Sequence, residues 1–440
     1  MDRSDLPRVF EYPADRAELD SRLLHVEAPD SAVEANVREI LRRVREDGFC
    51  AVAEYSERFD GARLTERSVR VPSARLKKAW DALPDALKSA LRLAKSRVEA
   101  FHRRQKREGW SFADEAGFTL TQRIMPLQSV AIHAPGGLAP LPSSLMMAAI
   151  PARVAGVKRI VGFTPPLRGR KGNEAILAAA HLCGIHEMYQ AGGAHGVAAL
   201  AYGAGPIPRV EKIVGPGSVW VQTAKRLLFG LIDIDMVAGP TEALIVADET
   251  ADPRVVAADM LCQAEHAPDT SVWAILIGRF AAAALQDELL RQAQTAPRRD
   301  IIARSLRDNG AIVRVARRAD AVELANQRAP EHISILARNP EALARGVHSA
   351  GAIFLGHWTP ESVGDYTAGP NHVLPTGRSA RFFSPLGVDD FVRADHMVAM
   401  TEAALRAVGP ATIAIGEAEG LHAHAEAVRV RLLSKGGRGR

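Results

Sequence analysis

Aromatic residues are scarce in this chain: Phe, Trp and Tyr supply 5% of its 440 residues. Its cores must therefore be built mainly from Ala, Leu, Val and Ile. Cysteine is nearly absent, with only Cys50, Cys183 and Cys262. Three thiols cannot all pair, and these share no metal-type spacing. That excludes a disulfide framework and fits a reduced, cytoplasmic setting. No apolar run reaches membrane-spanning length; the best, Leu145–Ile150, soon meets Pro151 and Arg153. Met1–Asp20 is charged and lacks an apolar segment, so no signal peptide is expected. Charge of one sign is in little excess: 56 basic against 51 acidic residues leave +5. Part of that excess sits in Ser434–Arg440, which reads as a disordered end. The basic cluster His102-Arg103-Arg104-Gln105-Lys106-Arg107 closes a helical run from Pro84 and reads as a solvated helix end. Neither nucleic acid nor a membrane is expected as a partner.

What is present is alternation. Up to about Gly117 the chain reads as helical, with amphipathic segments over Ser31–Gly48 and Pro84–Glu108. From Val130 short apolar strands alternate with helices. Several strands end in glycine turns: Pro135-Gly136-Gly137, Gly192-Gly193 and Gly215-Pro216-Gly217-Ser218. Strands feeding Gly-rich turns that open helices indicate a parallel α/β layer. Ligands of such layers bind beyond the carboxyl ends of the strands, where turn N–H groups can meet phosphates. No G-x-G-x-x-G run follows any strand, so the usual dinucleotide fingerprint is absent. A second α/β stretch runs from Leu244 to Leu355, without a residue-level repeat of the first. After Pro370 the chain reads as loop (Leu374–Pro385) and then as helices, Ala399–Ala407 and Ala414–Leu433.

Four clusters carry chemistry. Cys262-Gln263-Ala264-Glu265-His266 closes a helix that begins near Val255. A helix carried through this stretch puts Gln263 and His266 on one face. By residue type alone, Cys262, Glu265 and His266 are the better metal ligands and Gln263 is a bystander. Solvated or capping groups are the plainer reading of a helix-end His and Glu. Glu331-His332, after Pro330 at a strand start, is an acid/base candidate. Gly364-Asp365-Tyr366 through Gly369-Pro370-Asn371-His372 reads as a rigid polar loop. Glu419, His422 and His424 lie near the end of the chain; on one helix the two histidines diverge by about 200°, so at most one serves a single site.

These stretches, taken in order with Pro140-Leu141-Pro142-Ser143-Ser144, Asp235-Met236-Val237-Ala238-Gly239-Pro240, Val373-Leu374-Pro375-Thr376 and Glu419-Gly420-Leu421, resemble the histidinol dehydrogenase family. The resemblance runs from about Ser31 to Leu433. It implies a zinc enzyme that oxidises L-histidinol to L-histidine in two NAD-dependent steps through an aldehyde. It implies two Rossmann-like parallel-sheet domains with smaller helical N- and C-terminal parts, in an intertwined homodimer whose C-terminal ligand crosses into the partner's site. The corresponding boundaries are an extension over 1–30, a first α/β domain from 31–128 with 239–385, a second from 129–238, and a helical dimerisation region over 386–440. By resemblance the zinc ligands are Gln263, His266, Asp365 and His424, and Glu331 and His332 are the catalytic pair. Thr241, His372 and Glu419 would line the substrate site with His332 and the metal ligands.

The chain departs from the family at three NAD-contacting positions. His133 stands for the usual Tyr, His195 for Gln and Ser218 for Asn. Thr241 replaces the usual Ser. A relative oxidising another small polar alcohol is therefore a second reading. A zinc hydrolase and a non-catalytic metal scaffold are the readings from other classes.

Overall fold

The structure, a computed structural model, describes residues 1–23, 30–136, 140–166 and 173–433. The expected disordered end Ser434–Arg440 and Gly137 of the first glycine turn lie outside the described residues. The chain divides into two units, Met1–Gln105 with Leu127–Phe391, and Lys106–Pro126 with Val392–Arg440. Among the described residues no helix is long and apolar enough to cross a membrane.

The strands, in chain order, are β1 (Arg8–Glu11), β2 (Trp110–Ala113), β3 (Phe118–Pro126), β4 (Ser129–His133), β5 (Arg159–Phe163), β6 (Glu187–Tyr189) and β7 (Lys212–Val214). They continue as β8 (Asp233–Ile234), β9 (Glu242–Ala247), β10 (Ser271–Ile277), β11 (Ala311–Val315), β12 (His332–Leu336), β13 (Ala352–Leu355) and β14 (Val392–Met400). The first unit holds two parallel sheets. One has the order β6-β5-β4-β7-β8, the other β1-β11-β10-β9-β12-β13. Apart from β1 at the edge of the six-stranded sheet, the chain in each starts centrally, winds outward by two strands, then crosses back to the opposite side. The reversal leaves a crevice between β4 and β7 and another between β9 and β12.

Both sheets are covered on two faces, which explains their nearly unbroken apolar strands. All of Ala243–Ala247 and Ile333–Leu336 are buried, the polar Ser334 included. One face of the six-stranded sheet packs on helices Pro253–Ala264, Ala282–Ala293 and Arg299–Asn309, the other on Arg16–Leu23 and Arg318–Arg328. Two assignments differ from the sequence reading. Residues 1–23 of the expected extension are no appendage: β1 pairs in parallel with β11 and sends Phe10 into the core. Helices Ser31–Asp47 and Phe49–Asp60 do not join the 239–385 layer. Their Val37, Ile40, Val44, Val52 and Tyr55 share a core with Val161, Phe163 and Ile213 of the five-stranded layer. Both pairings join residues far apart in sequence, which periodicity does not report.

The second unit is not purely helical. β2 forms where helix was expected and pairs antiparallel with β3, and β14 pairs with β3 along its whole length, from Val392 opposite Pro126 to Met400 opposite Phe118. The expected helix Ala414–Leu433 is two. Helix Glu402–Ala418 closes at Gly420, whose φ of 71° suits glycine, and Leu421 N–H bonds back to Gly416 O. Helix His422–Leu433 then begins anew.

Candidate active site

In the six-stranded sheet, polar side chains gather at the amino ends of the strands. Thr241 precedes β9, Glu331 precedes β12, and His332 opens it. In the register, His332 lies opposite Ala243, which sets Glu331 beside Glu242. Glu331 accepts hydrogen bonds from the Thr241 hydroxyl and, at 3.0 Å, from the Glu242 backbone N–H. Burial pushes the Glu331 carboxyl up to about 7 against the opposing pull of His332. The His332 imidazole is buried too, which alone would lower its pKa. The Glu361 and Glu331 carboxylates outweigh burial and hold it well above the usual value. Its Nδ1 faces only acceptors, Glu361 Oε1 at 3.0 Å and Glu242 O at 3.3 Å. Nδ1 therefore carries a hydrogen, and Nε2 is left without a hydrogen-bond partner, 3.7 Å from Asp365 Oδ1.

Helix Pro253–Ala264 returns to this edge. Asp252 caps its N-terminus through the Arg254 N–H, and Pro253 needs no donor at the first position. The helix stops before His266, but the closing turn, His266 N–H to Gln263 O at 3.0 Å, keeps the pair together. Gln263 is buried and donates Nε2–H to Glu361 Oε1 at 2.7 Å. Its Oε1 lies 3.3 Å from the Thr241 hydroxyl. His266 is exposed to the cleft, yet the protein around it still lowers its imidazole, so it stands neutral as a ligand must. Glu265 points into solvent, and burial pushes the Cys262 thiol up to about 12, so neither is a ready ligand. Asp365 lies not in a loop but near the end of the short helix Glu361–Tyr366. Burial opposes its ionisation, but the neighbouring His332 ring, with Nε2 3.7 Å away, prevails and holds it below its usual value. His372 donates Nδ1–H to Asp365 O at 2.8 Å and sets Nε2 3.3 Å from Ser144 Oγ.

The five-stranded sheet offers its carboxyl end. Gly215 and Pro216, after β7, line the same cleft of about 230 Å³ as Thr241, Gln263, His266, Glu331, His332, Asp365 and His372. Gly215 has φ 112°, and a Cβ there would fall 2.6 Å from His133 O. A buried ion pair, Lys225 with Asp235, braces this turn; Lys225 also bonds Gly215 O at 3.0 Å, and Asp235 accepts from Gly215 N–H at 2.7 Å. Helices Gly193–Tyr202 and Val219–Leu228 begin without side-chain caps, leaving N–H groups free for an anion.

The three departures from the family separate here. Ser218 is an exposed N-cap residue. His133 is buried, donates Nδ1–H to Pro216 O, and is lowered to about 4 by burial. His195 does not line the cleft. It is buried in the core against Tyr55 and Phe59, with Nε2 3.1 Å from Ser56 Oγ, because helix Phe49–Asp60 packs there. Glu419 and His424 are exposed residues of the second unit. Among the described residues no three His, Cys, Asp or Glu side chains form a ready metal cage. In the first unit an amide oxygen must serve beside His266 and Asp365. Sequence reasoning missed Glu361. Its signal was present: it lies four residues before Asp365 on one helix, hence on the same face.

A cleft shared by two parallel sheets, with an imidazole and a carboxyl poised for proton transfer, defines an α/β acid–base enzyme. The family model described as histidinol dehydrogenase matches residues 25–432. Similar relatives include the histidinol dehydrogenases of Heliobacterium mobile, 43% identical over 97% of this chain and 99% of that one, and of Rhizobium meliloti (strain 1021), 47% identical over 91% and 92%. The crystal structure of histidinol dehydrogenase from Elizabethkingia anophelis superposes with a TM-score of 0.90 at 32% identity, covering 99% of both chains. The chain belongs to the histidinol dehydrogenase family.

Proposed function

We propose that the protein oxidises L-histidinol to L-histidine in two NAD-dependent steps through the aldehyde, as a zinc-requiring cytoplasmic homodimer. The observation that carries this reading is the His332 Nε2, unpartnered and facing Asp365, beside a Glu331 carboxyl raised to about 7. The donor set fits zinc: an anchored amide oxygen, a neutral imidazole and an ionised carboxylate. Gln263, His266 and Asp365 would hold it, with His424 supplied by a second copy. Bound there, zinc supplies Lewis-acid polarisation and an anchor for the amino alcohol. The carboxyl edge of the five-stranded sheet, with the Gly215–Gly217 turn and Ser218, fits a pyrophosphate, and NAD supplies the hydride acceptor.

His332 moves protons at Nε2 while Nδ1–H stays on Glu361; the carboxylates that raise its pKa make the ring, once its Nε2 proton has left, a strong acceptor for the hydroxyl proton, and they stabilise the imidazolium that re-forms. Glu331 takes a proton from the water that adds to the aldehyde. Thr241 holds Glu331 in place and lines the substrate site with His372, and Glu419, like His424, would come from a second copy. A second reading, another small polar alcohol as substrate, rests on His133, His195 and Ser218. Two of these are buried imidazoles off the cleft lining, so the substrate end is unaltered by them. The test is NADH formation from L-histidinol with zinc present. Two NADH per histidinol consumed are expected; none at roughly millimolar substrate, well above usual KM values, would sink the reading.

A further inference from the structure

The buried Glu361 carboxylate touches two of the groups just assigned. One oxygen, Oε1, accepts from Gln263 Nε2 at 2.7 Å and from His332 Nδ1 at 3.0 Å. Glu361 is 1% exposed and opens its helix directly after Pro360, so it is held by backbone as well as by packing. An ionised carboxylate can only accept. An amide can face it only with its NH2 end, and an imidazole only with an N–H. The consequences are opposite in kind but share one cause. The Gln263 oxygen is turned away from Glu361 toward Thr241 and the cleft, and the His332 lone pair is turned to Nε2. Gln263 is otherwise free to flip, since its two ends are nearly the same size, and a flipped amide would aim NH2 at a cation. A neutral imidazole in water also has no fixed tautomer.

We infer that Glu361 is a positioning residue that sets, through a single oxygen, both the metal-facing end of Gln263 and the reactive nitrogen of His332. It touches neither substrate nor cofactor. The inference rests on the reading that Gln263 holds the metal and His332 moves the proton. Its distinctive feature is that acceptor position matters more than charge. Glu361→Gln loses the charge but can keep an oxygen at the Oε1 position. Glu361→Asp keeps the charge but withdraws the oxygen by one methylene from both donors.

The test measures zinc affinity of both variants by chelator competition, and kcat and KM for L-histidinol at saturating zinc. Glu361→Asp should weaken zinc about 10–100-fold, the range for groups that orient ligands. It should lower kcat at least tenfold on the scale of general acid–base contributions, with KM moving less than about threefold. Glu361→Gln should keep zinc within about threefold and lose less kcat than Glu361→Asp, on the same scales. Unchanged zinc affinity and kcat in Glu361→Asp would overturn the proposal, as would a larger loss in Glu361→Gln than in Glu361→Asp. Gln263→Ala separates the levels. If it leaves zinc affinity unchanged, the metal assignment itself fails; if it weakens zinc while Glu361→Asp does not, only the role of Glu361 fails.

Discussion

The two parallel sheets of the first unit have the same winding but work from opposite edges. β6-β5-β4-β7-β8 and β11-β10-β9-β12-β13 follow the same order outward from a central strand and back. The five-stranded sheet faces the cleft with its carboxyl edge, where the Gly215-Pro216 turn lies and helices present uncapped N-termini. The six-stranded sheet faces it with its amino edge, where Thr241, Glu331 and His332 stand and helix Pro253–Ala264 arrives by its C-terminus. Helix N-termini carry partial positive charge and favour phosphate; C-termini carry partial negative charge and favour cations. One fold thus presents to the cleft one edge suited to an anion and one suited to a cation. Of the two edges that face the cleft, only that of the five-stranded sheet is the carboxyl edge where ligands of such layers are expected.

Buried imidazoles on the two sides contrast in one case, although His266 beside His332 is also lowered. On the five-stranded side burial lowers His133 and His195 to about 4. On the six-stranded side burial also opposes protonation of His332, but Glu361 and Glu331 carry it the other way.

The comparison can be broken most severely at the amino edge. Glu331→Gln and His332→Asn should each cut kcat by roughly 10²–10⁴-fold, the usual worth of a positioned acid or base, while zinc stays bound. Steady-state NADH formation and metal analysis check this; loss of zinc in step with kcat would show that the two tasks are not separable. His266→Asn should next lower zinc affinity by more than the roughly 10–100-fold that outer groups cost, whereas Glu265→Gln should leave it near wild type. Equal losses in a chelator titration would reverse the ligand choice.

Acid should then expose the other sheet. Free histidine titrates near 6.5, but folded His133 and His195 do so near about 4. The unfolded chain therefore binds more protons in this window. Stability is complete above pH 6.5 and falls as pH drops toward 4, by about 3 kcal/mol for each residue. Urea denaturation at pH 7 and pH 5 should show the loss, and His195→Gln should lessen it; an unchanged difference would contradict the buried neutral ring. The smallest effect is expected for Gly215→Ala. The added Cβ meets His133 O and a φ of 112°, so about 1–3 kcal/mol of stability should go and KM for NAD should rise. Zinc affinity should not change; if it does, the two edges are coupled through more than a shared cleft.

Much of this was readable beforehand, for a physical reason. Helix Pro253–Ala264 announced itself by Asp252, Pro253 and apolar spacing, because caps and faces are local. The alternation from Val130 to Leu355 marked two parallel layers for the same reason. Other features failed for want of locality. The hairpin β2–β3 was missed because its stability comes from pairing with β14, far along the chain. His195 was grouped with cofactor residues, and only the packing of Phe49–Asp60 shows where its ring goes.

The sequence by itself determined the parallel α/β class, the glycine turns and the Gln263/His266 spacing, since each follows from a few neighbouring residues. It also carried the family resemblance, through ordered motifs. Tertiary structure alone decided which edge of each sheet meets the cleft, which end of Gln263 faces it, and that Glu361 stands behind both Gln263 and His332. Those depend on strand order and on hydrogen bonds spanning from 29 to nearly a hundred residues, which no local pattern encodes.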